Sequence, residues 1–141
     1  MRISIQSAKL LILAICTFSL SAEDNSTKVE AVAVEKMLQE AQEFRYAGKY
    51  EEGIDLAQKA QIQANALSDP ALEVEAIFQL SLLYYYQHDY SRARAEMKVG
   101  LARARVHELE RLEADFLAAE GVLEWKQGNL HLALPKLQAA M

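Results

Sequence analysis

Apolar positions recur at helical spacing through most of this 141-residue chain, and the pattern is clearest over residues 71–105. There Ile77, Leu80, Ser81 and Tyr84 fall at i, i+3, i+4 and i+7, which is one face of a helix. Ala93, Met97 and Gly100 fall at i, i+4 and i+7 and mark one face of a second helix. The polar stretch Gln87-His88-Asp89-Tyr90 between them is too short for anything but a tight turn. This segment predicts a helical hairpin whose facing surfaces are small on one side and large on the other.

The same hairpin occurs three times. Tyr50, Tyr90 and Leu130 stand at one constant interval, and with these set under one another AGKYEEG, QHDYSRA and QGNLHLA align without a gap. Before each turn stand Ala41 and Phe44, then Ser81 and Tyr84, then Gly121 and Glu124. After it stand Gly53, Ala57 and Ala60, then Ala93, Met97 and Gly100, then Ala133, Leu137 and Ala140. Small residues recur where two helices approach closely, and large ones where a gap must be filled. A single hairpin cannot bury its own apolar face, so copies at one period imply an all-α repeat array.

Local signals mark most boundaries. Thr27 and Glu30 have capping-box spacing, which predicts that the first helix starts there. It should run to about Ala47, with Gly48 taking a left-handed conformation. The second helix, about Glu51 to Leu67, should stop at Ser68-Asp69-Pro70, with Asp69 as cap of the next. His88 occupies the place of Gly48 and Gly128, so a strained or left-handed backbone is expected there too. Residues 107–110 hold neither Gly nor Pro, and only the repeat says that the chain turns. Gly128-Asn129 is the last turn, and Pro135 falls in the first turns of the final helix, where its missing donor does limited harm.

With these residues in hand, the chain resembles the tetratricopeptide repeat family. The middle copy carries the match best, with Ile77, Leu80, Ser81 and Tyr84, then Asp89-Tyr90, then Ala93, Met97 and Gly100. That family repeats at about 34 residues; the longer period here is assigned to long second helices, as in the subset found in bacterial regulators and sensors. The resemblance covers residues 28–141, as repeats 28–69, 70–109 and an incomplete 110–141. Glu40, Glu120 and Glu124 depart from it, standing where the pattern expects apolar residues. It implies a right-handed superhelical array of three hairpins whose first helices line a concave groove. The family's groove positions become Leu38, Gln42 and Arg45, then Phe78, Leu82 and Tyr85, then Ala118, Val122 and Trp125. Members that clamp a peptide's terminal carboxylate show Lys and Asn at such positions. This chain has mostly apolar residues instead, which implies a protein or peptide partner with an apolar or helical segment.

Residues 1–22 read as an export signal rather than part of the array. Met1–Lys9 carries two positive charges, Leu10–Leu20 is an apolar run, and small residues precede Glu23. Cleavage is expected after Ser21 or Ala22, followed by a polar linker, 23–27. Cys16 is preceded by isoleucine within a continuing apolar run, which argues against lipidation. Removing the signal leaves no cysteine and 13 Lys and Arg against 20 Asp and Glu. That acidic balance argues against nucleic acid as the main partner. Arg92, Arg94, Lys98, Arg103 and Arg105 are a local basic exception, read as a solvated outer face whose stems cover apolar surface.

No catalytic constellation emerges. His88, His107 and His131 lie far apart in sequence, and there is no HExxH, CxxC or glycine-rich phosphate loop. Glu120 and Glu124 stand one helical turn apart, but paired carboxylates on helices are ordinarily solvated, so no shared proton or metal is expected. The expectation is a non-catalytic module without cofactor or metal. Two classes follow: an exported adaptor, with self-association open, or the periplasmic input region of a membrane signalling protein of the diguanylate cyclase or histidine kinase type. The apolar, uncapped LPKLQAAM end fits an array that closes on a partner or one that is the front part of a longer protein.

Overall fold

A computed structural model describes the backbone of residues 5–141 and the side chains of residues 25–141. Its elements are α1 (Ile5–Tyr46), α2 (Tyr50–Ala66), α3 (Pro70–Tyr86), α4 (Tyr90–Val106), α5 (Glu110–Lys126) and α6 (Leu130–Ala139). There is no strand among the described residues. Met1–Ser4 of the expected signal lie outside the described residues, as do the side chains on which the cleavage-site and Cys16 readings depend. Among the described residues no helix is long and apolar enough to cross a membrane.

Every turn closes in the same way, and the turns recur at half the repeat period. Gly48, Ser68, His88, Glu108 and Gly128 have φ of 73°, 55°, 66°, 55° and 83°. At each, that residue's N–H and the next one reach back to the preceding turn: Ser68 N–H to Asn65 O at 3.0 Å and Asp69 N–H to Ala64 O at 3.1 Å, for instance. This is the Schellman closure, which satisfies carbonyls that the helix end would leave bare. The left-handed backbone expected at His88 is present, and the chain turns at Glu108 although nothing local announces it. Asp69 and Asp89 cap α3 and α4, accepting from the N–H of Leu72 and Arg92 at 3.0 Å.

Two local expectations change. Helix α1 does not start at Thr27 but continues through residues 23–27 from Ile5. That stretch contains no Gly or Pro to break a helix, and Ser26 Oγ lies 3.4 Å from Glu30 Oε1, one turn on within it. A capping pattern marks a start only where the preceding residues cannot be helical. Nor are the second helices longer than the first: α2, α3, α4 and α5 are each 17 residues.

The hairpins close on small residues, as the pattern required. A Cβ on Gly53 would lie 3.3 Å from the Ala41 carbonyl oxygen, and one on Gly121 the same distance from that of Ala133. Ser81 and Ala93, their counterparts, are fully buried. The third hairpin thus keeps the register of the first despite Glu120 and Glu124. Gly100 does something else. A Cβ there would sit 2.0 Å from Phe116 Cζ, so this glycine makes room for a ring from the next hairpin. At the equivalent junction, Ala60 and Ala76 belong to a small cluster with Val34, Leu38 and Ala64.

Sequential helices pack on one another, and the first helices also meet directly, α1 with α3 and α3 with α5. Among the described residues α2, α4 and α6 do not touch one another. The structure is all-α with helical-hairpin packing, and α1, α3 and α5 form one continuous three-helix face.

Candidate binding face of the first helices

Positions i, i+3, i+7 and i+10 share one face of a helix. Glu35, Leu38, Gln42 and Arg45 do so on α1, and their counterparts one and two periods further do so on α3 and α5. Leu38 is buried beneath this face as part of its floor. It lines a cavity of about 430 Å³ with Glu35, Ala71, Leu72, Glu75, Leu109, Arg111 and Leu112. Phe78 stands edge-on against Phe116, centroids 5.1 Å apart at 84°. Leu82, Tyr85 and Val122 come together around a second cavity of about 190 Å³, with Tyr86, Met97 and Ala119. Ala118 is half-buried, and Trp125 stands 60% exposed.

The late end of the face is aromatic and cationic. The Arg45 guanidinium lies 4.7 Å from the centroid of Tyr46 and 5.4 Å from that of Tyr86. Gln42 Nε2 donates to the Tyr46 hydroxyl at 3.1 Å; that bond, and then the Arg45 charge, hold this phenol below its ordinary range. Tyr85 packs against Tyr86 and Tyr90 at 5.3 and 5.7 Å, and burial first, then the neighbouring tyrosines, push its phenol up. Tyr46 and Tyr86 escaped the sequence reading, although they too are separated by the repeat period.

The early end is acidic. Glu35, Glu75 and Asp115 recur at the repeat period, again a spacing available in the sequence. Arg111 bridges two of them, with Nη2 2.7 Å from Glu75 Oε2 and Nη1 2.9 Å from Asp115 Oδ2. Beside this row, Gln79 is buried with its Oε1 unpartnered while its Nε2 lies 3.4 Å from Glu75 Oε1.

One expectation about charge needs correcting. Glu120 and Glu124 are not on a solvated face; they are buried, 6% and 3% exposed. Lys136 pairs with Glu120, and Arg94 pairs with Glu124. Asn129 Nδ2 also donates to Glu124 at 2.8 Å. These contacts, Arg94 first and Asn129 second, hold the Glu124 carboxyl below its usual range. Each carboxylate has its own cation. The arginines of α4 are largely solvent-exposed, yet tied to neighbours: Arg92 to its own cap Asp89 at 2.6 Å, Arg103 to Glu73, and Arg105 to Glu113 at 2.7 Å. Among the described residues no group of three His, Cys, Asp or Glu is placed to hold a metal ion.

No family model, curated protein or solved structure matches this chain. Its functional reading therefore rests on its own geometry.

Proposed function

We propose that the chain is a non-catalytic protein-binding array of the tetratricopeptide type, in which α1, α3 and α5 line the concave side of a right-handed superhelix. Helices that meet on one side and stay apart on the other are what such curvature produces, and the identical turns at every half period supply its regularity. The observation that carries the binding role is the row Phe78, Leu82, Tyr85, Val122 and Trp125, apolar along a continuous face, with Val122 and Trp125 exposed and the other three partly buried. A face of this composition holds an apolar or helical protein segment. Tyr85 and Trp125 are the anchors, because aromatic side chains dominate such contacts.

Replacing either by Ala should weaken a captured partner by about 2 kcal/mol or more, with helix content unchanged by circular dichroism. Arg92→Ala, on the far side of the array, should leave the same partner in place. A partner kept by the Tyr85/Trp125 double variant and lost by Arg92→Ala would move the site to the outer helices. Export is part of the proposal: N-terminal sequencing of the accumulated protein should return Ala22 or Glu23, whereas Met1 on a cytoplasmic protein rejects it.

A further inference from the structure

The three-helix face is polarised along its length, and this polarity specifies its occupant. Its early end carries Glu35, Glu75 and Asp115 against the cation Arg111, and its late end carries Arg45 among Tyr46, Tyr85 and Tyr86. The carboxylates are not mere partners for helix dipoles. Glu35 lies deep inside α1, and Glu75 and Asp115 lie beyond the first turn of their helices, where the dipole effect has faded. Between the ends the face is mainly apolar, with Phe78, Leu82, Ala118 and Val122 beside Gln42 and above the buried Leu38, and it opens into the two cavities.

We infer that the bound segment is an amphipathic helix lying antiparallel to α1, α3 and α5, with lysine or arginine in its last turn against the carboxylate row. This rests on the protein-binding reading above. The rise from the Glu35 level to the Arg45 level is about 15 Å, so the segment spans about three turns. Three helices packed at about 8–10 Å spacing present a face wider than one helix, which is about 10 Å across with its side chains, so one helix can lie along α3 over that face. A cation in the last turn of the segment complements its own dipole as well as Glu35 and Glu75. An acidic first turn then meets Arg45. The reverse orientation sets like charges together at both ends, which electrostatic complementarity disfavours.

Trp125 is the single tryptophan of the chain and lies on this face, so it reports occupancy by fluorescence. Two tryptophan-free peptides of identical composition make the test, each with leucines at i, i+3, i+4 and i+7. One has two Glu in the first turn and two Lys in the last; the other has them exchanged. Titrated into the full chain, the first should bind about tenfold more tightly, and the gap should shrink in high salt. Glu35→Lys, an exposed change, should remove most of the preference. Equal affinity of the two peptides, a reversed preference, or an undiminished one in Glu35→Lys would overturn the orientation while leaving the binding face intact. If neither peptide binds, the protein-binding reading itself falls.

Discussion

In the middle hairpin Leu80 and Tyr84 fill the space beside α4; the last hairpin puts Glu120 and Glu124 at the same positions. The backbones nevertheless share one register, because it is set where helices approach closely, Ser81 on Ala93 and Gly121 on Ala133, and not by what fills the gaps around them. The carboxylates are tolerated because cations reach them. Lys136 comes from the facing helix of the same hairpin, and Arg94 from the preceding one. Buried ion pairs contribute little net stability compared with apolar packing of the same volume. The last hairpin should therefore be the weaker of the two, and also the one that notices its neighbour's charge.

Removing that neighbour's contribution has the largest expected effect. Arg94→Ala leaves Glu124 buried with Asn129 as its remaining close partner and should cost about 3 kcal/mol in urea unfolding. Glu124→Gln should cost less, since Arg94 is a third exposed and regains water. The pair also has a pH signature. Glu124 has a folded pKa below its unfolded one, so its contribution is present above the ordinary carboxylate range and disappears as pH falls through the depressed value. Midpoints followed from neutral to acid pH should converge for wild type and Glu124→Gln; a constant difference would count against the pairing.

Next in size is the junction between the two hairpins. Gly100→Ala drives a methyl into the Phe116 ring and should cost about 2 kcal/mol by overpacking. Ala93→Leu, inside the middle hairpin, belongs to the same range of about 1–3 kcal/mol. Adding Phe116→Leu to Gly100→Ala should recover part of the loss, and strictly additive effects in the double variant would mean that the two sites do not touch.

The comparison is sharpened by converting one hairpin into the other. Glu120→Leu with Glu124→Tyr gives the last hairpin the filling of the middle one. Stability at neutral pH should change by no more than about 1 kcal/mol, because apolar groups fill the gap while the freed Arg94 and Lys136, each about a third exposed, regain water. Loss of stability specific to acid should largely vanish. The smallest effect is expected at a turn both hairpins share in form: Glu108→Gly relieves a left-handed non-glycine and should raise stability by about 0.5–1 kcal/mol, read as a higher melting temperature.

Much of the architecture is legible in the sequence, for a local reason. Turn closure is decided within a few positions and close helix approach within a single hairpin, and three aligned copies average out the noise of any one. That is why the turn at Glu108 can be placed with no breaker in it, and why Gly121 and Ala133 stand out as a contact beside two anomalous glutamates. The aromatic pair Tyr46 and Tyr86 and the row Glu35, Glu75 and Asp115 are equally present in the repeat spacing, one place off or one turn before the family's positions.

By itself, then, the sequence determined the period, the hairpins, the small-residue contacts and the face on which the candidate site lies. Tertiary structure alone decided which chemistry meets across helices. Arg94 and Glu124 are 30 residues apart and Arg111 and Glu75 are 36, and no periodic rule states which cation reaches which carboxylate. Phe116 could fill the place of Gly100's missing side chain only once α4 and α5 had packed, and Leu38 became floor rather than rim for the same reason. Periodicity encodes which way a residue faces, whereas burial and pairing depend on what the neighbouring helix brings to that face.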